Sequence, residues 1–307
     1  MNIYTLTLNP AVDYFLHVDN LKEGNLNLAT YSNILVGGKG LNVSTVLANL
    51  SVANTATGFI GGEVGDMILR NLSGRGIKTD FIKVAGNTRI NLKLYNQNTS
   101  IETEIAGVSP KISEEKAADL INKIVDTVRS EDILVLAGSI PNSISQHIYK
   151  SIAEQLSAGV KIILDTRGNC LRENLHNNFL IKPNKRELEE MFGCNLNSTE
   201  EIIETCAYFF ENGAQNVIVS LGGEGSLCLN NKGVYKANPI KLNVKNTVGA
   251  GDSMVAGFIY GVSQNKTLED CYKLAVSASL ATIAGEGLAT QDGINNFYNQ
   301  VNIQQIK

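Results

Sequence analysis

The sequence has few cysteines, and their spacing does not form a metal or disulfide framework. Five cysteines occur in 307 residues, and no two of them form a C-x-x-C pair. The three histidines, His17, His147 and His176, show no metal-binding spacing among themselves. This pattern favours reduced thiols in a cytoplasmic protein over a disulfide scaffold or a zinc site.

The chain also lacks a charge excess and long hydrophobic runs. Its net charge is −4, from 26 basic and 30 acidic side chains, which gives no global reason to bind nucleic acid or an anionic membrane. No run of 18 apolar residues occurs, and the first residues show no basic segment followed by an apolar one. We therefore expect a soluble cytosolic protein without a signal peptide or membrane span. The length suits a single large α/β domain spanning residues 1–307, with or without a small appendage.

Several well-known catalytic motifs are missing. No G-x-S-x-G elbow and no Cys–His signature is present, which argues against a hydrolase with a nucleophilic Ser or Cys. The first predicted strand is followed by "TLNPAVD" rather than G-x-G-x-x-G, which argues against a dinucleotide-dependent oxidoreductase. The segment "GGKGLN" is not a Walker A loop, because Lys39 is followed by Gly40 and Leu41.

The second half of the chain alternates continuous apolar segments with helical ones. Strands are predicted at Asp132–Gly138, Val160–Thr166, Phe179–Asn184 and Asn216–Gly225. Helices are predicted at residues 144–159, 185–193 and 199–213. Apolar strands separated by helices indicate a parallel sheet that is buried on both faces.

The first third of the chain shows polar–apolar alternation instead. Residues 91–105, "NLKLYNQNTSIETEI", resemble a hairpin. Alternating strands are usually half-exposed, so we predict a small β layer from residues of about 12–37 and 88–106, attached to the α/β domain. The alternative is that these strands extend the main sheet.

The segment Asn246–Phe258, "NTVGAGDSMVAGF", is predicted to be a glycine turn that leads into a helix. The first N–H groups of a helix have no internal partner and lie at the positive end of its dipole, so small side chains there create a backbone anion site. A carboxylate would repel a bound anion, so Asp252 is better explained as a general base for a nearby hydroxyl. The alternative is a simple helix cap.

Two other segments join a turn to a helix. In Leu35–Leu50, Lys39 and the backbone could hold a phosphate, with Asn42 in the first helical turn; the alternative is a tight turn with a solvated lysine. In Ile181–Gly193, Asn184 and Glu187 are three residues apart and could face hydrated Mg²⁺. A capping box is the alternative there, and for this pair alone the residues favour it.

Three further features are weaker. The glycines of "VSLGGEG", after Ser220, would allow a ligand to approach the backbone closely, or would form a hairpin turn. Asp13 could accept hydrogen bonds from sugar hydroxyls, and Arg89 could bind a phosphate through two N–H groups. Taken singly, either charge would more often lie on the surface.

Taken in order, these segments resemble the ribokinase-like (PfkB) family of carbohydrate kinases. The order is "TLNPAVD", "GGKGLNV", "GFIGGEVG", "TRINLKL", "LAGSIP", "ILDT", "IKPNKREL", "VSLGGEG" and "VGAGDSMVAGF", over residues of about 5–290. Each motif is weak alone, but so many in one order are specific. The first two are typical of the branch that phosphorylates hexose phosphates. The segment "GVSPKIS" departs from that branch, because Ser109 stands between Val108 and Pro110 where Gly-Pro is usual.

The resemblance implies a role for each matching residue. Asp252 would be the catalytic base, and the backbone of Gly249, Ala250 and Gly251 the anion hole. The residues that would bind the sugar phosphate, or lie near it, are Asp13, Gly38, Lys39, Asn42, Arg89 and Ser139. Those that would line the nucleotide are Lys182, Asn184, Ser220, Gly222, Gly223, Gly225, Ser279 and Gly285. Asn184 and Glu187 would hold Mg²⁺, mainly through water.

The resemblance also implies a fold and an activity. The fold would be a three-layer αβα domain with a mostly parallel sheet, and the small β layer would be a lid that often forms a homodimer contact. The activity would be ATP-dependent phosphorylation of a ketohexose monophosphate. Fructose 1-phosphate is the expected substrate, giving fructose 1,6-bisphosphate, with tagatose 6-phosphate as the alternative. A non-catalytic sugar-phosphate-binding protein is the remote alternative, which the intact Asp252 and Gly249–Gly251 argue against.

Overall fold

The computed structural model describes all 307 residues, which form fourteen strands and ten helices. The strands are β1 (Ile3–Thr7), β2 (Ala11–Val18), β3 (Tyr31–Gly37), β4 (Thr55–Ile60), β5 (Lys78–Lys83), β6 (Arg89–Asn96), β7 (Ile101–Ile105), β8 (Ile133–Ala137), β9 (Lys161–Asp165), β10 (Leu180–Ile181), β11 (Asn216–Ser220), β12 (Ser226–Asn230), β13 (Gly233–Ala237) and β14 (Ile303–Gln305). The helices are α1 (Lys39–Asn49), α2 (Gly62–Gly74), α3 (Glu114–Thr127), α4 (Ile148–Gln155), α5 (Gly168–Glu173), α6 (Lys185–Phe192), α7 (Thr199–Glu211), α8 (Ala250–Ser263), α9 (Leu268–Ala284) and α10 (Gln291–Tyr298).

Ten strands form the large sheet, in the order β14-β13-β12-β11-β10-β9-β8-β1-β4-β5. The seven strands from β5 to β11 in this order run parallel. Strands β12, β13 and β14 continue the sheet antiparallel. The carboxyl ends of β1, β8, β9, β10 and β11 therefore meet at one edge, which is where open α/β sheets bind ligands.

Both faces of the large sheet are buried under helices. On β8, Leu134 and Leu136 pack into a core shared with α3, α4, α6 and α7. Ile133 and Val135 point the other way, into a core shared with α1, α8, α9 and α10. This arrangement explains the continuous apolar strands of the sequence, and it confirms the prediction of a three-layer α/β fold. None of the ten helices combines the length and the apolar content needed to cross a membrane.

Four strands form a separate small sheet, in the order β3-β2-β6-β7. Strand β2 pairs parallel with β6, and the other two pairs are antiparallel, including the predicted β6–β7 hairpin. These strands do not extend the main sheet, so that alternative is wrong. In register, Asp13 pairs with Asn91 and Phe15 pairs with Lys93, which places these four side chains on one face.

Some predicted elements are shorter in the structure. The helix predicted over residues 144–159 spans only Ile148–Gln155, after a turn. The strand predicted over Phe179–Asn184 is reduced to Leu180–Ile181, because Pro183 has no N–H to donate and Asn184 already caps α6. Strand β11 ends at Ser220, and a 3₁₀ turn connects it to β12 in a hairpin.

Candidate active site

A glycine turn leads into helix α8 at the carboxyl edge of the parallel strands. Helix α8 starts at Ala250, with Gly249 as its N-cap in the left-handed conformation at φ +79°. A Cβ atom at Gly249 would lie 2.4 Å from Leu288 Cδ2, so both the backbone conformation and the available space require glycine. The predicted glycine turn before a helix is therefore confirmed. The first N–H groups of α8 are left without intrahelical acceptors.

Asp252 lies in the first turn of α8 and is only 7 % exposed. Asn42, from the first turn of α1, donates a hydrogen bond from Nδ2 to Asp252 Oδ2 at 2.7 Å. Burial and the nearby Asp165 carboxylate raise the pKa of Asp252 to about 6, although Lys39 and the Asn42 hydrogen bond oppose the shift. A carboxylate with this pKa is ionised near neutral pH and can still accept a proton.

A buried carboxylate holds two lysines beside this site. Asp165, at the end of β9, is fully buried, and its Oδ1 lies 2.8 Å from Lys39 Nζ and 3.6 Å from Lys182 Nζ. Burial alone would raise the Asp165 pKa, but Lys182 and Lys39 outweigh it and keep that pKa below its usual value. Burial lowers the pKa of Lys39, but Asp165 and Asp252 outweigh it and raise that pKa above its usual value.

Lys182 approaches the N-terminus of α8 closely. A Cβ atom added at Gly251 would lie 3.0 Å from Lys182 Nζ. The ammonium group therefore lies beside the positive end of the α8 dipole, which favours an anion there. Gly251, Lys182, Lys39 and Asp252, all predicted site residues, are thus brought together by the fold.

The small sheet contributes Asp13 at the edge of the site. Asn91 donates from Nδ2 to Asp13 Oδ1 at 2.8 Å, and Lys93 Nζ lies 3.8 Å from Asp13 Oδ2. A Cβ atom at Gly37, the residue before Gly38, would lie 2.7 Å from Asp13 Oδ2. The carboxylate therefore packs against the glycine turn that precedes α1.

Arg89 and Ser139 both contact Asn9. Arg89 Nη2 donates to the Asn9 carbonyl at 3.2 Å, and Asn9 Nδ2 donates to Ser139 Oγ at 3.2 Å. Arg89 Nε is buried without a partner, and burial lowers the pKa of the guanidinium, while Asp13 opposes the shift. An unpaired buried donor beside an exposed serine hydroxyl is suited to an anionic ligand.

Asn184 and Glu187 form a capping box at the start of α6. Glu187 N donates to Asn184 Oδ1 at 2.8 Å, and Asn184 N donates to Glu187 Oε2 at 2.9 Å. This is the structural alternative that the spacing allowed. The capping box occupies one carboxylate oxygen of Glu187, Oε2. The protein has no group of three His, Cys, Asp or Glu side chains that could hold a metal by themselves.

Lys182, Asn184 and Ser220, which are predicted to line a nucleotide, lie at the carboxyl ends of β10 and β11. Ser220 N donates to the Pro183 carbonyl, which brings the end of β11 beside Asn184. Gly222 and Gly223 lie exposed in the following turn, whereas the positive φ of Gly225 is needed for the hairpin. Ser279 is buried within α9 and Gly285 caps its end. The roles of these residues in binding remain predictions.

Asp165 is the residue of this site that the sequence analysis did not single out. Asp165 ends the apolar strand "KIILD" and lies in the motif "ILDT", but no role was assigned to it. Such a residue at a strand end is usually solvated. The pairing with Lys39, which is 126 residues away in sequence, is visible only in the folded chain.

The fold and the site define a class of enzyme. A buried carboxylate of raised pKa, a glycine-lined helix N-terminus and two lysines lie together at the carboxyl edge of a parallel sheet, next to a small second sheet. These are the groups that transfer of a phosphoryl group to a hydroxyl requires.

Comparison with known proteins identifies the family. The model of the "pfkB family carbohydrate kinase" matches residues 6–292, and the chain belongs to this family. It is 42 % identical to a 1-phosphofructokinase of Borreliella burgdorferi and 41 % identical to one of Bacillus subtilis, each over 99 % of this chain and 99–100 % of the relative. A D-tagatose-1-phosphate kinase of Bacillus licheniformis is 34 % identical over 99 % of this chain and all of the relative.

The fold is shared with solved structures. A Staphylococcus aureus protein that carries a provisional assignment as a phosphofructokinase is 39 % identical and superposes with a TM-score of 0.86 over 99 % of both chains. The expected family and fold are therefore confirmed, and the chain is a carbohydrate kinase.

Proposed function

We propose that this enzyme transfers the γ-phosphoryl group of ATP to fructose 1-phosphate and forms fructose 1,6-bisphosphate. The observation that carries the proposal is Asp252, a buried carboxylate of raised pKa in the first turn of α8, next to the anion site. The names of the two relatives above 40 % identity support the choice of sugar.

Asp252 acts as the general base for the acceptor hydroxyl. Its carboxylate accepts the proton as the hydroxyl attacks phosphorus, while Asn42 holds the carboxylate through Oδ2 and leaves Oδ1 for the hydroxyl. Burial raises the pKa of Asp252 and therefore makes the carboxylate a better proton acceptor than a solvated aspartate.

The backbone and two lysines stabilise the charge of the transferred group. Gly249–Gly251 place small side chains and the positive end of the α8 dipole beside the space that Lys182 reaches, so the oxygens of the phosphoryl group would meet positive charge that is already in place. Asp165 holds Lys182 and Lys39 there and limits the repulsion between the two ammonium groups.

The sugar phosphate binds between the large sheet and the lid, which is the small sheet β3-β2-β6-β7. Asp13 accepts hydrogen bonds from sugar hydroxyls, and Arg89 and Ser139 donate to the phosphate. Besides the Nη2 group that donates to Asn9, the guanidinium has further N–H groups that could donate to the phosphate.

ATP and Mg²⁺ fit the side of the site that lies away from the lid. Because no three protein ligands converge, Mg²⁺ would be held by the nucleotide phosphates and water, with Glu187 Oε1 as an outer partner that the capping box leaves free. The ion supplies charge neutralisation on the phosphates. The turn that follows Ser220, and the end of α9 near Gly285, would line the nucleotide.

Tagatose phosphates are the alternative sugars. The sequence analysis considered tagatose 6-phosphate, and a relative at 34 % identity is named D-tagatose-1-phosphate kinase. That name favours a 1-phosphate, as fructose 1-phosphate also has. The two 1-phosphates differ only in the stereochemistry of one hydroxyl, so Asp13 and its neighbours would decide between them.

The proposal is tested by ADP release, measured side by side with fructose 1-phosphate, tagatose 1-phosphate, tagatose 6-phosphate and fructose 6-phosphate. We expect the highest kcat/KM with fructose 1-phosphate. A tagatose phosphate that is turned over more efficiently would replace fructose 1-phosphate as the substrate. No ADP release with any of the four would overturn the proposed activity.

A further inference from the structure

Three hydrogen bonds converge on Asn9, which lies between the end of β1 and the first lid strand, β2. Its Nδ2 donates to Ser139 Oγ at 3.2 Å, and its Oδ1 accepts from Ser109 Oγ at 2.8 Å. Its carbonyl oxygen accepts from Arg89 Nη2 at 3.2 Å. Asn9 therefore joins the loop after β8 to two of the segments that connect the lid to the large domain.

These hydrogen bonds have a direction. In this structure the Asn9 amide presents its single acceptor atom, Oδ1, to the Ser109 hydroxyl and its NH₂ group to Ser139 Oγ. Ser139 Oγ then accepts from Asn9, and its own hydrogen is free to point away from Asn9. The chain of donors runs from Ser109 through Asn9 to Ser139.

This direction matters because a phosphate dianion only accepts hydrogen bonds. We propose that Asn9 is a positioning residue that makes the Ser139 hydroxyl a donor to the sugar phosphate, and that Ser109 fixes the orientation of the Asn9 amide. The proposal rests on the proposed sugar-phosphate binding at Arg89 and Ser139. Because hydrogen bonds in a chain polarise one another, the donation from Ser139 is strengthened by the two bonds behind it.

The proposal also assigns a function to Ser109. It is the residue of "GVSPKIS" that departs from the branch pattern, and catalysis does not involve it. Its hydroxyl is partly buried against Asn9, at the point where the chain returns from β7 to the large domain.

The test replaces the amide by a carboxylate of the same shape. In Asn9→Asp both side-chain oxygens only accept, so Ser139 donates to the introduced carboxylate and is lost as a donor to the phosphate. We expect KM and the calorimetric Kd for fructose 1-phosphate to rise at least tenfold, with kcat within about threefold of wild type. The KM for ATP is expected to stay unchanged. Asn296→Asp, the same change on the exposed face of α10, is the matched control and should leave all constants unchanged.

A double-mutant cycle separates hydrogen-bond direction from charge repulsion. If the introduced carboxylate acts by repelling the phosphate, its effect persists when Ser139 is replaced by alanine. If it acts by removing the Ser139 donor, it has no further effect in that background, because the donor is already absent. We therefore expect Asn9→Asp to weaken binding by less than twofold in the Ser139→Ala background. A full tenfold effect in that background would overturn the role of Asn9.

Ser109 is tested by a pair of variants. Ser109→Ala should raise KM for fructose 1-phosphate several-fold, and Ser109→Thr, which keeps the hydroxyl, should restore it. An unchanged KM in Ser109→Ala would overturn the role of Ser109. If wild type binds none of the sugar phosphates, the proposed function itself fails; normal wild-type binding with an additive cycle overturns only the inference on Asn9.

Discussion

Asp165 is a single buried residue on which two lysines depend. Its side chain is fully buried, and Lys182 beside it is only 5 % exposed. Removing one partner of a buried ion pair leaves the other charge uncompensated, so Asp165→Asn should lower the free energy of unfolding by about 3–5 kcal/mol at pH 7. Urea unfolding measures this loss.

The exposed pair of Lys116 and Asp119 is the matched control for this prediction. Its Nζ–Oδ2 distance is also 2.8 Å, but both side chains are about 40 % exposed. Water solvates these charges in either state, so Asp119→Asn should not change the unfolding midpoint measurably. Equal losses in the two variants would contradict the importance of burial at Asp165.

The pKa of Asp252 predicts how the rate falls as the pH is lowered. Burial raises that pKa in the free enzyme to about 6, and only the ionised carboxylate can accept a proton, so kcat/KM for the sugar phosphate should fall about tenfold per pH unit below pH 6. The substrate is titrated separately, because its phosphate also titrates near this pH. A constant kcat/KM from pH 5 to 7, after correction for the substrate, would exclude Asp252 as the titrating base.

The raised pKa of Asp252 also predicts how the stability of the fold depends on pH, and this dependence is opposite to that of an aspartate in a typical salt bridge. Because the folded pKa lies above the unfolded value, the ionised form of Asp252 destabilises the fold above pH 6, and this cost disappears as pH falls through 6 toward 4. Asp252→Asn should therefore raise Tm at pH 8, with a smaller gain at pH 5. A gain that grows as the pH falls would contradict the shift.

Helix α8 is the element on which the anion site depends. A methyl group at Gly251 would lie 3.0 Å from Lys182 Nζ, in the space that the phosphoryl group would occupy. Gly251→Ala should therefore lower kcat at least tenfold, without lowering Tm, because alanine favours a helix. In Gly74→Ala the added methyl group meets no atom within 4 Å, so this control should keep wild-type kcat. Wild-type kcat in Gly251→Ala would contradict the anion site.

Most elements could be predicted because their local patterns are strong. The glycine turn before α8 and the hairpin β6–β7 follow from residues close together in the sequence. The end of strand β10 could not be predicted, because Pro183 interrupts a run of residues that otherwise suits a strand. Asn184 and Glu187 show the limit of local patterns, since the same spacing serves a capping box and a hydrated metal.

At the scale of the whole molecule, the lid carries exposed apolar side chains on the face opposite to Asp13. Ile34, Ile90 and Ile105 lie on this face and are 49 %, 49 % and 56 % exposed. Such a patch on a small sheet favours contact with a second copy, and we therefore predict the homodimer that the family resemblance implies. Ile90→Glu should shift the protein from dimer to monomer in sedimentation velocity, whereas Ile306→Glu at the other end of the chain should not. A monomeric wild type would contradict the dimer.

The arrangement of the whole sheet lies beyond what the sequence can predict. Strand β1 lies between β8 and β4, an order that no local pattern encodes. Lys39 forms its ion pair with Asp165, a residue 126 positions away in the sequence. The direction of the hydrogen bonds at Asn9 likewise depends on three segments that meet only after folding. The order of the motifs predicted the family, and the folded chain showed how its parts cooperate.

The most direct test of the account is the kcat of Asp252→Asn, measured with fructose 1-phosphate and ATP together with the calorimetric Kd for fructose 1-phosphate. Asparagine keeps the shape of the side chain but cannot accept the proton, so kcat should fall by about 10²–10⁴-fold. The Kd should stay within threefold of wild type, because the proposed sugar-phosphate ligands are Asp13, Arg89 and Ser139. A kcat close to that of wild type would contradict the role of Asp252 as the base.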